Sequence, residues 1–136
     1  MEGDIFAPCA LGAVINDVSL RTLRVDIVAG AANNQLAEER HGAALFERGI
    51  LYAPDFVINA GGVISASAEI SGWDGERIHQ KVVGIENIIK YVLEVSQKDR
   101  IPTCEAARRI AQWRISRARE PIPGASLRRS AWRTGP

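Results

Sequence analysis

Ile50-Leu51-Tyr52-Ala53-Pro54-Asp55-Phe56-Val57-Ile58 runs directly into Asn59-Ala60-Gly61-Gly62-Val63-Ile64. An apolar run rich in Ile and Val reads as a strand covered on both faces, and here it hands the chain to an amide and a glycine pair. That layout sets Asn59 at the mouth of a sheet, where small residues let a ligand approach the main chain. The same unit occurs twice upstream. Val25-Asp26-Ile27-Val28-Ala29 reads as a strand followed by Gly30-Ala31-Ala32-Asn33-Asn34-Gln35, and Asp4-Ile5-Phe6-Ala7 as another followed by Pro8-Cys9-Ala10-Leu11-Gly12.

Helical patterns separate and follow these strands. Leu36 to Arg48 carries Glu38, Glu39, Arg40, Glu47 and Arg48 on one side and Leu36, Ala43, Ala44 and Leu45 on the other, with Gly49 where a helix would stop. Strand, helix and strand in this order make a crossover unit, so the expected class is α/β with a doubly wound parallel sheet that binds ligands outside the carboxyl ends of its strands. Beyond Gly62, Val63 to Ile70 continues as a short apolar helix, and Gly72-Trp73-Asp74-Gly75 forms a turn. Two packing helices are then predicted. Glu76 to Asp99 places Ile78, Val82, Ile85, Ile89 and Val92 on one stripe, weakened by Gly84. The second opens with Thr103 as N-cap and buries Ala106, Ala107, Ile110, Ala111 and Ile115. From Arg114 onward Arg, Pro, Gly and Ser accumulate, which divides the chain into a domain over 1–118 and a disordered tail over 119–136.

A chain of 136 residues with a net charge of +1 suffices for one small domain and not for a two-domain enzyme. No run approaches the roughly 18 to 20 apolar residues that span a bilayer. Met1-Glu2-Gly3-Asp4 is acidic where a secretory signal would be basic, so the expected compartment is the cytoplasm, without membrane contact. The Arg-rich end carries no nucleic-acid motif and reads as a solvated terminus, so nucleic acid is not an expected partner. Cys9 and Cys104 lack metal-ligand spacing and read as reduced thiols, buried or half-buried. His41 and His79 form no ligand pattern either, and no metal site is predicted.

Asn side chains at strand ends donate and accept at once without adding charge, which suits a neutral polar ring substituent or a zwitterion. The stretches Asp4 to Asp17, Ile27 to Gly42 and Gly49 to Ile64 resemble the carboxyl-terminal part of the leucine, valine, phenylalanine and tryptophan dehydrogenases, within the wider glutamate dehydrogenase superfamily. The resemblance spans residues 3 to 118. It implies a Rossmann-like sheet lacking its first strands, with NAD as cofactor. Cys9, Ala10, Gly30, Ala31, Asn33 and Asn59 would then lie against the nicotinamide half, and Asn33, Val63 and Ala66 against the amino acid. Asn34 has a second reading as cap of the following helix, and Gly61-Gly62 a purely structural one at a strand-to-helix turn.

Members of that family are more than twice this length, and the resemblance puts their catalytic lysines, catalytic Asp and glycine-rich loop in the part this chain lacks. Its only lysines, Lys81, Lys90 and Lys98, fall on the long amphipathic helix and read as solvated, so no catalytic residue is assigned. The implied function is NAD-dependent oxidative deamination of a branched-chain or aromatic L-amino acid to the 2-oxo acid and ammonia, as part of a larger dehydrogenase. Alone, the chain is expected to be inactive. The Asp4 to Ala7 strand without its neighbour leaves an open apolar edge, so marginal stability, aggregation or association with a partner is expected, the partner being a complementing catalytic half or a second copy in a homo-oligomer. The competing reading is a non-enzymatic remnant or interaction domain.

Overall fold

The computed structural model describes residues 2–119. Three short strands, β1 (Ile5–Phe6), β2 (Ile27–Val28) and β3 (Leu51–Tyr52), lie side by side in sequence order and run parallel. Ile5 stands beside Ile27 and Ile27 beside Leu51, while Phe6, Val28 and Tyr52 form the next row. Main-chain bonds at the flanks, such as Ala29 N to Phe6 O (3.0 Å) and Ala53 N to Val28 O (2.9 Å), carry the pairing one residue further. Parallel strands need a crossover, and each gap here holds one helix. α1 (Asp17–Thr22) joins β1 to β2, and α2 (Glu39–Glu47) joins β2 to β3.

α1 is absent from the expected elements. Asn16 caps it, accepting from the N–H groups of Val18 and Ser19 (both 3.0 Å), while the Ser19 hydroxyl accepts from Asn16 N–H (2.9 Å). α2 ends as expected, with Gly49 at φ +71° just past Arg48. The strand expected over Ile50 to Ile58 is corrected: it stops at Tyr52, and Asp55–Ile58 is a single helical turn, α3. Pro54 has no N–H to continue the ladder, and the N–H of Ile58 bonds back to its carbonyl (3.1 Å). Asn59 therefore caps the carboxyl end of α3 rather than ending a strand.

α4 (Gly61–Ser71), α5 (Gly75–Asp99) and α6 (Thr103–Arg119) follow. Thr103 is the first residue of α6 and not its N-cap; its hydroxyl donates to Tyr52 O (2.5 Å), pinning the helix to the end of β3. The main core gathers Ile15, Leu23, Val28, Leu45, Ile50, Tyr52 and Cys104 between sheet and helices. A second cluster joins Val92 of α5 to Ala106 and Ala107 of α6, with Val57 and Ile88 packed on it.

The long apolar stripes are only partly buried. On α5, Val92 is buried but Val82 is exposed, and on α6 the expected burial of Ala111 and Ile115 is corrected, since both are exposed. Periodicity predicts a face, whereas burial needs an element to cover it, and α5 and α6 cover each other only along part of their length. Ile5 on the outer edge of β1 is likewise 60% exposed, in keeping with the open edge expected of this strand. Of the tail predicted to be disordered over 119–136, Arg119 instead closes α6, and the remainder lies outside the described residues.

Gly84 sits in mid-helix, and a Cβ there would meet nothing within 4 Å. Gly84→Ala is expected to stabilise the chain by about 1 kcal/mol through helix propensity, read as a higher urea midpoint at unchanged slope. A fall in the midpoint would mean that this face of α5 is covered.

Candidate functional site

The strands end on a common side, and three segments meet there. Pro8 follows β1, and its carbonyl accepts from Ala32 N–H (2.9 Å), which locks the first loop to the second. The approach is so close that a Cβ on Gly30 would stand 2.1 Å from Pro8 O and 2.4 Å from Pro8 N. Gly12 performs the same service nearer α1, where a Cβ would lie 2.9 Å from Asn33 O. Gly30 is buried, so its small size is required by the fold whether or not a ligand lies above it.

Gln35, not among the expected site residues, organises the second loop from below. It is fully buried, and its Nε2 donates to Gly30 O (2.6 Å) and Ala32 O (2.9 Å) while its main-chain N–H donates to the Asp55 carboxylate (3.2 Å). Asp55 N–H in turn donates to the Tyr52 hydroxyl (3.3 Å), and burial pushes the Tyr52 pKa well above the ordinary phenol range. One loop is thus pinned to β3 and α3 through a buried amide and a buried carboxylate. The sequence signal for Gln35 is an amide at the close of an apolar, small-residue stretch, where a buried polar group must find backbone partners.

Above this base lies the pair that sequence reasoning singled out. Asn59 Nδ2 donates to Asn33 Oδ1 (2.6 Å) and lies 3.5 Å from Ala31 O. Residues 26 positions apart are so brought together, linking the β2 loop to the segment that enters α4. Asn34 is not a helix cap: α2 is preceded by Glu38, and Asn34 adopts φ +52° while its carbonyl accepts from Ala13 N–H (2.7 Å). Ala31 and Asn33 are exposed beside it, as are Cys9 and Ala10 on the β1 loop. The expectation of a buried or half-buried Cys9 is therefore corrected, while Cys104 is buried, and both are free thiols.

Gly61 and Gly62 open α4, and a Cβ on either would meet nothing within 4 Å. Neither has a positive φ, so no contact among the described residues demands glycine at this turn. Val63 and Ala66, one turn apart on the same helix, are both exposed, Val63 to 71%. The loops 7–13 and 29–37 contain no charged side chain. All three lysines lie on α5, Lys90 held by Glu86 (2.6 Å) and Lys81 over the Trp73 ring at 6.0 Å.

A second polar cluster lies where α1 meets α2. Ligand atoms of Asp17, Glu38 and His41 come within 4.8 Å of one another, but Arg40 takes both carboxylates, bonding Asp17 through Nη1 (2.7 Å) and Nη2 (2.6 Å) and Glu38 through Nε (3.0 Å). The guanidinium supplies the positive charge that a cation would bring. Chiefly through that bond, the Asp17 pKa falls to about 2. Because the folded value is depressed, whatever this ion pair contributes is present above the ordinary aspartate range and is lost as pH falls toward about 2. A carboxyl titration by NMR should place the Asp17 midpoint near this value, and Arg40→Gln should return it toward the ordinary range; a midpoint unmoved by the substitution would refute the pairing.

Residues 1–121 match the family model described as Glutamate/Leucine/Phenylalanine/Valine dehydrogenase. Leucine dehydrogenase of Bacillus subtilis (strain 168) is 56% identical over 116 residues, which cover 85% of this chain and 32% of that protein. The crystal structure of L-tryptophan dehydrogenase from Nostoc punctiforme matches with a TM-score of 0.82 at 43% identity, over 87% of this chain and 35% of that one. Glutamate dehydrogenase from Peptoniphilus asaccharolyticus matches with a TM-score of 0.66 at 28% identity, over 82% of this chain and 30% of that one. The chain spans about a third of the length of the curated relatives it matches.

Proposed function

Since the chain belongs to the glutamate/leucine/phenylalanine/valine dehydrogenase family, we propose that it forms the nicotinamide side of the cleft in an NAD-dependent amino-acid dehydrogenase. The overall reaction converts a branched-chain or aromatic L-amino acid, water and NAD⁺ into the 2-oxo acid, ammonium, NADH and a proton. NAD, when bound, supplies the hydride acceptor. Everything else assigned to this chain is binding and orientation.

The observation that carries the reading is the Asn33–Asn59 pair at the meeting of uncharged loops whose outer residues are small. That donor set fits a neutral carboxamide and ribose. It does not fit a pyrophosphate, because no cation and no glycine-rich helix entry stands in the loops 7–13 and 29–37. In this reading the main chain at Cys9, Ala10, Gly30 and Ala31 forms the floor for the flat ring, and Asn33 contacts ribose or the amino-acid main chain. Val63 and Ala66 flank the amino-acid side chain. An apolar pair favours leucine or phenylalanine over glutamate, whose second carboxylate would lose its hydration against it.

A chimera joining this chain to the amino-terminal two thirds of the Bacillus subtilis leucine dehydrogenase tests the proposal. It is expected to reduce NAD with L-leucine and to ignore L-glutamate, while the 136-residue chain alone forms no NADH. Asn33→Ala in the chimera should lower kcat/KM by roughly 10- to 100-fold, the scale of one polar contact of about 1.4 to 3 kcal/mol. A folded chimera that binds NADH but turns over no branched or aromatic amino acid would sink the assignment.

A further inference from the structure

Asn33 and Asn59 are more than two adjacent amides, because a third group fixes their polarity. A main-chain carbonyl can only accept, and Ala31 O faces the same Asn59 nitrogen that bonds Asn33. Turning Asn59 over would set its oxygen against that carbonyl. The main chain therefore selects which face Asn59 presents, and Asn59, by donating to Asn33 Oδ1 at 2.6 Å, selects which face Asn33 presents. The Asn33 oxygen is turned inward and its N–H₂ group outward. That nitrogen has no hydrogen-bond partner among the described residues, on a side chain that is exposed.

We propose that Asn59 is a positioning residue, which through Ala31 holds Asn33 as a donor, so that this cleft recognises an acceptor oxygen such as a ribose hydroxyl or a carboxylate. The inference rests on the functional reading for the identity of the ligand, though not for the orientation of the two amides. Substitution can separate the two. Asn33→Asp retains the bond from Asn59 but has no N–H to offer a ligand. Asn59→Leu keeps the volume and removes the donor that fixes Asn33. In Asn59→Asp the new carboxylate can only accept, so it draws the Asn33 N–H₂ inward and turns the oxygen out.

The test uses the 136-residue chain, labelled with ¹⁵N and ¹³C. In the free chain a through-hydrogen-bond coupling is expected from the Asn59 side-chain N–H to the Asn33 carboxamide carbon. A coupling from Asn33 N–H to the Asn59 carboxamide would overturn the proposal. The chain is then titrated with nicotinamide mononucleotide, following the Asn33 side-chain N–H₂ resonances in wild type and main-chain shifts of Ala31 and Ala32 in every variant. Wild type should bind, and Asn33→Asp, Asn59→Leu and Asn59→Asp should each bind at least tenfold more weakly with unchanged circular dichroism. Asn59→Leu binding as tightly as wild type would refute the positioning role while leaving the nicotinamide reading intact. Should the Asn59-to-Asn33 coupling appear while wild type shows no response to the mononucleotide, the orientation stands and the nicotinamide reading falls.

Discussion

Gly30→Ala is expected to cost more than about 3 kcal/mol of stability, a large share of the roughly 5 to 15 kcal/mol that holds a domain folded, although it adds one methyl group. The new Cβ would stand 2.1 Å from Pro8 O, 2.4 Å from Pro8 N and 2.6 Å from Pro8 C. All three are main-chain atoms, so no side-chain rotation relieves the contact and the two loops must part. Parting them threatens the Ala32 N to Pro8 O bond (2.9 Å) and disturbs the carbonyl of Gly30 that the buried Gln35 amide grips at 2.6 Å. Each buried group left without a partner adds about 1 to 3 kcal/mol to the steric term. The control is Gly61→Ala, where a Cβ meets nothing within 4 Å and φ is not positive, so the change should be small and of either sign. Urea denaturation of the two variants separates a glycine that the fold requires from one left open toward the cleft. Equal midpoints would show that the loops after β1 and β2 are not packed as described.

That contrast also marks what the sequence could convey. Gly30 and Gly61-Gly62 read alike, as small residues after apolar runs, because composition does not reveal what stands opposite. The strands were legible from Ile and Val followed by small residues, and the helix over α2 from its charged and apolar sides. The stretch from Ile50 to Ile58 reads as one long strand because Phe56, Val57 and Ile58 are as apolar in a helical turn as in a strand, and Pro54 is the residue that marks the break. α1 is six residues long and rests on the Asn16–Ser19 capping pair, a signal too short for periodicity to register. For α5 and α6, spacings of three and four residues revealed helices but not which half of each stripe finds a partner.

At the site, the three Asn positions were legible as chemistry and not as geometry. Asn33 and Asn59 meet across a separation of 26 residues, and Asn34, adjacent in sequence to Asn33, serves the backbone instead. Gln35 is not legible as a site residue because its task, bridging carbonyls below the loop, depends on a burial that only the assembled sheet creates. Asp55 is similar. Its carboxylate is buried under the same loop, accepting from Gln35, whereas the sequence alone sets it inside the strand expected over Ile50 to Ile58.

Gly42→Ala should destabilise the wild-type chain yet stabilise one that carries Cys104→Ala. α2 and α6 touch at Gly42, where a Cβ would lie 2.5 Å from Cys104 Sγ and 3.2 Å from Leu36 Cδ1. In wild type the sulfur must rotate about its single side-chain torsion, and a helix disfavours one of the three rotamers, so a cost of about 1 to 3 kcal/mol is expected. Removing the sulfur leaves the Leu36 methyl, the end of a longer side chain, and the residue-104 Cβ at 3.9 Å. The helix propensity of Ala over Gly, about 1 kcal/mol, then emerges with its sign restored. Cys104→Ser supplies the control, since an oxygen in the same place still obstructs the methyl group and brings a polar atom into a buried site. The four-member cycle, measured by urea denaturation, should give a coupling of about 2 kcal/mol or more between positions 42 and 104. Additive effects would mean that α2 and α6 do not meet at this contact.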